Sequence, residues 1–343
     1  MFDHRPTQKE IAKLTQLTQA TVSMALADNP RVSKATRKRV QKVANELGYR
    51  PDPHLTALST YRKRSTSAKY QATLAWLVND PDNEQWKRLP AFYNEYYLGA
   101  IDRAKELGYQ LEEHQLQKDG MSGKRLASLL WARNIPGILL APQAGPNTCL
   151  DFDFSQFSAV TFGHSLQSPE LHTVVSHQAK SMTRLMRHIL DLGYQRPGLA
   201  LSTQSDQRTI HNWSSAFWGA QQSLKVKDRL PIHTKPQITP EGLAQWLKRY
   251  RPDVVVTEQR HAKKWLLSIG EQIPETLGLA IITIQEQSQN CSGILENSRL
   301  IGARAIEFLV DLLHRRECGV PEIPMTLMID GKLVEGETLR CQA

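Results

Sequence analysis

One short stretch of this sequence carries side chains that could contact the edges of base pairs. The pattern predicts a helix over 18–26, in which Val22 and Leu26 lie four residues apart on the buried side. A glutamine amide on the other side can form a bidentate pair with adenine, and a methyl or thioether group suits the thymine methyl. The side chains predicted to face away from the buried side are Thr18, Gln19, Ala20, Thr21, Ser23 and Met24. This face predicts contacts in the major groove of DNA.

Two further predicted helices would position that face. The first, over 8–14, begins with a capping box in which Thr7 and Glu10 exchange hydrogen bonds, and its apolar residues Ile11 and Leu14 are expected on one buried face. The third, over 34–47, begins at Ser33. Two short helices backed by a longer one predict an all-α helix-turn-helix head. Hydroxyls and helix-end amides could bind phosphate, which positions the head without selecting a base sequence. The residues that offer these groups are Thr7, Ser33 and Thr36.

Positive charge is concentrated in the same part of the chain. Residues 1–64 hold thirteen Lys and Arg against five Asp and Glu, whereas the remaining 279 residues hold thirty against twenty-nine. A basic module joined to a nearly neutral body indicates binding to phosphate groups. The alternatives are a solvated basic helix, a membrane-surface segment, or a small helical bundle that binds protein.

A leucine-bearing helix is predicted immediately after the head, over 53–60. It is too short to persist alone in water, so Leu55 and Leu58 would be exposed on a monomer. Such a pair could wedge into the minor groove once two copies of the helix pair in a dimer. The alternative is an interdomain linker whose leucines pack on the rest of the chain.

Four short motifs follow one another within the first sixty residues or so. They are Glu10-Ile11-Ala12, Thr21-Val22-Ser23, Val32-Ser33-x-x-Thr36-Arg37 with Val40, and Leu47-x-Tyr49-x-Pro51. In this order and spacing they resemble the lac repressor family. The resemblance implies a symmetric dimer, or a dimer of dimers, on a pseudopalindromic operator, with Leu58 as the intercalating hinge leucine. The sequence departs from the family where Gln16 replaces the usual turn glycine and where Met24 replaces a polar or basic residue.

From about residue 71 the pattern alternates between apolar strands and amphipathic helices. Strands are predicted at 72–78, 109–116, 137–140, 159–162, 198–201, 254–257 and 279–284. Helices are predicted at 96–107, 122–134, 178–192, 213–224, 241–250 and 300–315. Alternation at this spacing predicts parallel sheets covered by helices on both faces. Because so many strands fit two sheets better than one, we expect an α/β core of two doubly wound lobes with a ligand cleft between them.

Weaker similarities to the same family continue through this core, in Leu107-Gly108-Tyr109, Gly137-Ile138-Leu139 and Leu192-Gly193-Tyr194. They imply a periplasmic-binding-protein-like core in which the chain crosses between the lobes three times, near 163–168, 290–295 and 323–327. The expected domains are a helix-turn-helix domain over 1–50, a hinge helix and linker over 51–70, and an effector-binding and dimerisation core over 71–343. The first lobe would take about 71–165 and 294–324, and the second about 166–293 and 325–343.

Ligands of doubly wound sheets bind beyond the carboxyl ends of the strands. The polar residues predicted at these ends are Asn79, Asp80, His164, Ser202, Glu258 and Gln285, and Trp213 could stack on a ring. Each of them could instead be a loop residue that faces solvent. Sugar-responsive members of the family have Asp where Gln285 stands and Arg where Trp213 stands, and both are missing here. The sequence therefore predicts a small-molecule effector of unspecified class, or none.

Motifs for catalysis and metal binding are absent from the sequence. It has no Gly-x-Ser-x-Gly, no glycine-rich phosphate loop and no His-Glu-x-x-His, and its four cysteines show no zinc-site spacing. We expect neither an enzyme nor a metal or cofactor. Without a secretory signal or a bilayer-spanning apolar run, we expect a cytoplasmic homodimeric repressor that binds operator DNA. A solute receptor without DNA binding and a sugar-processing enzyme are the alternatives.

Overall fold

The chain divides into a helical unit followed by a unit of alternating strands and helices. The computed structural model describes residues 7–26, 32–47, 49, 70–79, 91–116, 120–284 and 290–342. Contacts divide the chain into Met1–Ala68 and Lys69–Ala343. The predicted hinge helix with Leu55 and Leu58, and the predicted cleft residues Asp80 and Gln285, lie outside the described residues.

The described residues of the first unit form three helices: α1 (Gln8–Thr15), α2 (Gln19–Leu26) and α3 (Lys34–Glu46). Their bounds agree with the prediction to within one residue, because capping residues and local periodicity set them. The side chains that form their common core are Ile11, Ala12, Val22, Ala25, Val32, Val40 and Ala44. The prediction of an all-α head is confirmed.

One side chain of α1 lies elsewhere than its apolar character suggests. Leu14 was expected on the buried face with Ile11, but it is 61% exposed. Thr15 is buried instead, because it lies four residues from Ile11 and its hydroxyl donates to the Ile11 carbonyl at 2.7 Å.

The second unit alternates strands and helices. Its strands are β1 (Ala72–Val78), β2 (Tyr109–Gln115), β3 (Gly137–Leu140), β4 (Thr148–Cys149), β5 (Ser158–Phe162), β6 (Leu166–Ser168), β7 (His172–Ser176), β8 (Pro197–Ser202), β9 (His233–Lys235), β10 (Val254–Thr257), β11 (Gly278–Ile284), β12 (Ser292–Leu295), β13 (Thr326–Ile329) and β14 (Lys332–Val334). Its helices are α4 (Ala91–Glu106), α5 (Gly123–Ala132), α6 (Gln178–Asp191), α7 (Thr203–Arg208), α8 (Asn212–Gln221), α9 (Pro240–Tyr250), α10 (Ala262–Ser268) and α11 (Ser298–Arg315).

Two six-stranded sheets organise these elements into two lobes. The first sheet has the order β13-β7-β5-β3-β1-β2 and is parallel throughout. The second has the order β14-β12-β11-β10-β8-β9, in which only β14 runs antiparallel to its neighbour. Helices α4 and α11 cover one face of the first sheet and α5 the other, while α6 and α8 lie opposite α9 and α10 on the second. The prediction of two doubly wound lobes is confirmed.

The chain crosses between the lobes three times, but later than predicted. The crossings are His177, between β7 and α6; Glu296–Asn297, between β12 and α11; and Asp330–Gly331, between β13 and β14. The predicted crossings near 163–168, 290–295 and 323–327 were too early because β7, β12 and β13 were not predicted. Of the described residues, those within 70–176 and 298–329 therefore form the first lobe. Those within 178–295 and 332–342 form the second lobe, so the predicted boundaries at 165/166, 293/294 and 324/325 move accordingly.

Two glycines allow α4 and α11 to approach closely in the first lobe. A Cβ atom added to Gly302 would lie 1.9 Å from the Tyr96 carbonyl oxygen, and one added to Gly99 would lie 2.0 Å from the Arg299 carbonyl oxygen. Both obstacles are backbone atoms, so a side chain at either position requires the helices to separate.

None of the helices in the described ranges is long and apolar enough to cross a membrane.

Candidate functional site

The predicted base-contacting face of α2 is available at the surface of the head. Thr18, Gln19, Ala20 and Ser23 are exposed, and Thr21 is partly exposed, whereas Val22 and Ala25 on the opposite side are buried. Met24 is partly buried and packs against the head core, so it lies at the margin of this face. The hydroxyl of Thr18 accepts from the amide of Thr21 at 3.2 Å and thereby caps the helix.

The helix starts that were predicted to bind phosphate have caps with the expected geometry. The Thr7 amide donates to Glu10 Oε2 at 2.7 Å, and the Glu10 amide donates to Thr7 Oγ1 at 3.4 Å, which completes the capping box. At the start of α3, the Thr36 amide donates to Ser33 Oγ at 3.2 Å, and the two hydroxyls lie 2.8 Å apart. These bonds fix the first turns of α1 and α3, while Thr7 and Ser33 remain exposed.

Basic side chains line α3 and connect it to α1. The cationic residues of this helix are Lys34, Arg37, Lys38, Arg39 and Lys42. The guanidinium of Arg39 donates to the Thr15 carbonyl at the end of α1. This bond links the two helices while the positive charge stays at the surface, as binding to a polyanion requires.

The turn between α1 and α2 has a left-handed residue without a glycine. Gln16 has φ 53° and ψ 35°, and the following amide, of Leu17, donates to the Ala12 carbonyl at 3.0 Å. This conformation costs an L-residue with a side chain about 1–2 kcal/mol. The left-handed conformation of Gln16 is therefore a point of local strain in this turn.

We expect Gln16→Gly to stabilise the head by about 0.5–1 kcal/mol, since it relieves that strain at some cost in unfolded-chain entropy. Native-state hydrogen exchange of the α1 and α2 amides measures the change. Lys13→Gly, inside α1, is the matched control and should destabilise by about 1 kcal/mol. If both variants destabilise equally, the turn is unstrained.

A cavity of about 510 Å³ lies between the two lobes of the core. Three of the predicted cleft residues, Ser202, Trp213 and Glu258, line it. The Ser202 amide donates to Glu258 Oε1 at 2.8 Å, which joins the carboxyl ends of β8 and β10. The rule that ligands bind beyond the carboxyl ends of strands (the strand-end rule) therefore identified residues in the second-lobe wall of the cavity.

Two other predicted residues lie beside the cavity rather than in its wall. Asn79 Nδ2 donates to Gln143 Oε1 at 2.9 Å. His164 lies between two lining residues, Gly163 and Ser165, and burial lowers the pKa of its imidazole, which favours the neutral ring. Neither side chain is among those that face the cavity.

Among the cavity residues that were not predicted from the sequence are Tyr93, Tyr96, Arg208 and Glu296. The Tyr96 hydroxyl donates to Glu296 Oε1 at 2.9 Å, so the second crossing is tied to α4. Burial raises the pKa of Glu296, and it raises that of Tyr93 to about 12. Glu296 could have been found by the strand-end rule, because it follows β12, had that short strand been recognised.

Arg208 supplies a guanidinium that the sequence comparison missed. The position that carries arginine in sugar-responsive relatives is Trp213 here, and Trp213 is only 6% exposed. Arg208 reaches the cavity from α7 instead, and its Nη1 donates to the Ala144 carbonyl at 2.5 Å. The expectation that the cleft lacks a fork-shaped donor was therefore wrong.

Within the described ranges there is no group of three or more His, Cys, Asp or Glu that could hold a metal ion. The cysteines Cys149, Cys291, Cys318 and Cys341 are all free thiols.

The chain is similar to known proteins both in sequence and in fold. The sequence model described as "Bacterial regulatory proteins, lacI family" matches residues 7–52. The HTH-type transcriptional regulator DegA of Bacillus subtilis is 28% identical over 238 residues, which cover 67% of this chain and 66% of DegA. The HTH-type transcriptional repressor CytR of Escherichia coli is 29% identical over 134 residues, 39% of this chain and 35% of CytR. These alignments span less than two thirds of either relative.

Solved structures match over nearly the whole chain at low identity. A transcriptional regulator CelR–cellobiose complex gives a TM-score of 0.57 at 18% identity and covers 97% of this chain and 100% of its own. The lac repressor dimer bound to operator and the anti-inducer ONPF gives 0.56 at 14%, covering 98% and 99%. At such identities the likeness concerns the fold, and it agrees with a helical head followed by two α/β lobes.

Proposed function

Since this chain belongs to the lac repressor family, we propose that it is a sequence-specific DNA-binding regulator of transcription. It acts as a repressor that binds a pseudopalindromic operator as a homodimer in the cytoplasm, and a small molecule in the core cleft modulates it. The observation that carries the proposal is the exposed polar face of α2, which lies within the basic segment 1–64 that contains nearly all the excess positive charge.

The DNA contacts divide into two groups by their chemistry. Thr18, Gln19, Ala20, Thr21 and Ser23 on α2 contact bases, with Met24 at the edge of that surface. Thr7, Ser33 and Thr36 at the helix starts contact phosphates. Leu55 and Leu58, outside the described residues, are proposed to enter the minor groove in the dimer. The names of the relatives support this assignment, since DegA and CytR are both described as transcriptional regulators of the helix-turn-helix type.

In this proposal the core senses a ligand and does not catalyse a reaction. The cavity between the lobes has a volume typical of small-molecule sites. Ser202, Trp213 and Glu258 contact the effector in this proposal, together with Tyr93 and Arg208. The effector shifts the protein between two lobe arrangements by binding one of them more tightly. A bound cellobiose in the CelR structure supports a small-molecule site in this fold.

Operator binding should weaken steeply as salt rises, because phosphate binding releases counterions. Each phosphate contact contributes about −0.9 to the slope of log affinity against log salt, so six contacts give roughly −5. A fluorescence-anisotropy titration of an operator selected from random duplexes, repeated at several salt concentrations, measures this slope.

The matched variants for that titration are Lys38→Gln on α3 and Lys105→Gln on α4, which are both exposed. Lys38→Gln should reduce the magnitude of the slope by about 1, because it removes one proposed phosphate contact. Lys105→Gln should leave the slope unchanged. A salt-independent association, or a chain that stays monomeric in sedimentation at working concentration, would contradict the proposal.

A further inference from the structure

Arg208 connects the two lobes across the cavity. It lies at the end of α7 in the second lobe. Its Nη1 donates to the Ala144 carbonyl at 2.5 Å and its Nη2 donates to the Tyr93 hydroxyl. The guanidinium carbon also lies 5.3 Å from the centre of the Tyr93 ring. Ala144 and Tyr93 both belong to the first lobe, so this one side chain bridges the cleft.

The groups that Arg208 contacts are uncharged. A carbonyl oxygen and a phenol accept its two hydrogen bonds, and burial raises the pKa of that phenol to about 12, which keeps it neutral. Among the described residues, no carboxylate forms an ion pair with Arg208, although Arg184, Arg196 and Arg299 all have one. A partly buried guanidinium is thus held by weaker acceptors than a carboxylate or phosphate would offer.

The two carboxylates that line the same cavity accept hydrogen bonds from residues other than Arg208. Glu258 Oε1 accepts from the Ser202 amide at 2.8 Å. Glu296 Oε1 accepts from the Tyr96 hydroxyl at 2.9 Å, and burial raises the pKa of Glu296, which favours its uncharged form. Neither residue neutralises Arg208 by direct contact, so the cavity keeps a cationic fork on its second-lobe side.

We propose that the effector carries an oxyanion, as a carboxylate or a phosphate ester, and that Arg208 is the residue that selects it. A planar guanidinium binds such groups in bidentate geometry and more strongly than it binds neutral oxygens. The oxyanion replaces the Tyr93 hydroxyl and the Ala144 carbonyl as acceptor. This inference rests on the proposed function of the cleft as an effector site, and it names the chemical class of the ligand.

The rest of the cavity indicates what the oxyanion is attached to. Ser165 and Ser205 line the cavity, and their hydroxyls suit a ligand with several hydroxyl groups. The rings of Tyr93 and Phe162 add apolar surface. A hydroxylated organic acid or a phosphorylated polyol fits this lining, whereas a neutral sugar leaves the guanidinium without a counterion.

Inorganic phosphate is the simplest probe of this site. We expect 50 mM phosphate to raise the thermal midpoint of the core transition of the full chain by about 2 °C over sodium chloride of equal ionic strength. Arg208→Gln should abolish that shift. Arg187→Gln is the matched control, because Arg187 is exposed on α6 in the same lobe. Phosphate bound by the basic head is common to all variants, so the difference between variants reports on Arg208.

Tyr93→Phe provides a test that does not weaken the site. It keeps the ring under the guanidinium and removes the competing hydroxyl, so phosphate affinity should rise about threefold. Arg208→Lys, which keeps the charge without the fork, should retain only part of the shift and serves if the glutamine variant fails to fold. Equal shifts in the wild type and in Arg208→Gln, or an unchanged affinity in Tyr93→Phe, overturn the proposal.

Gluconate, glucose 6-phosphate and glucose then separate the two sources of the oxyanion. The anion that gives the larger Arg208-dependent shift identifies the carboxylate or the phosphate, and a neutral glucose that stabilises as well as either anion overturns the inference. These measurements use no DNA. If the chain binds phosphate through Arg208 but binds no operator, the result contradicts the proposed function and leaves the anionic effector standing. If it binds operator but shows no phosphate binding that depends on Arg208, the result contradicts only the anionic effector.

Discussion

Gly302→Ala is expected to destabilise the core by about 3 kcal/mol and to lower its thermal midpoint by roughly 6–12 °C. The added methyl would lie 1.9 Å from the Tyr96 carbonyl oxygen and 2.9 Å from the Ala100 amide nitrogen. Both are backbone atoms of α4, so no side-chain rotation can relieve the overlap. The greater helix propensity of alanine offsets about 1 kcal/mol of this destabilisation, which is less than the free energy needed to separate two packed helices.

The matched control is Gly219→Ala on α8. An added Cβ at Gly219 meets nothing within 4 Å, so alanine there should be neutral or slightly stabilising. Calorimetry of the two variants isolates the helix contact from helix propensity. If Gly302→Ala and Gly219→Ala have the same midpoint, α4 and α11 do not pack through these glycines.

Separation of α4 and α11 should also affect the cleft. Tyr93 and Tyr96 both lie on α4 and both line the cavity. Because α11 starts directly after the second crossing, a shift between these helices displaces the cavity wall relative to Glu296. We therefore expect the Gly302 variant to lose ligand response at temperatures where it is still folded.

Gln19→Ala should weaken specific operator binding by about 1–3 kcal/mol, which is roughly 5- to 150-fold. The Gln19 side chain is exposed at the first position of α2, whereas Val22 and Ala25 of the same helix are buried. An amide there can pair in bidentate geometry with adenine, and alanine cannot. Because the lost contacts are to a base, the slope of affinity against salt should stay the same.

Gln41→Ala on α3, which is also exposed, is the control with the same change of side chain. Gel-shift titrations with the selected operator and with unrelated duplex DNA give the specificity ratio for each variant. A fall in affinity that is equal on both duplexes would assign Gln19 to phosphate contact, and no fall at all would remove it from the interface.

The head could be predicted almost completely because its signals are local. Thr7 and Ser33 cap their helices through residues three positions away, so the sequence next to each cap contains the information. The misplaced side chain was Leu14, since periodicity over an eight-residue helix does not distinguish its two flanks.

The core was predictable in its class but not in its connections. Apolar strands such as β1, β3 and β11 were recognised, whereas β7, β12 and β13 were not. Assignment of a strand to one lobe depends on pairing with distant residues, which no local pattern records. The crossings were misplaced for that reason.

The cleft shows the same limit at the level of single residues. Ser202 and Glu258 follow strands that were recognised, so the strand-end rule found them. Arg208 lies on α7, whose sequence Thr-Gln-Ser-Asp-Gln-Arg has no apolar residue and therefore no detectable periodicity. Its approach to Tyr93 joins residues 115 positions apart.

The brevity of the three crossings has a mechanical consequence. Together they contain five residues and lie close together: the His177 amide donates at 2.8 Å to the carbonyl of Ile329, which directly precedes the third crossing, and Asn297 Nδ2 donates to the Asp330 carbonyl at 2.9 Å. We expect so few rotatable bonds, gathered in one place, to act as one hinge between the lobes. Under the proposed role of the cavity, effectors of different shape would then differ in how far they turn this hinge.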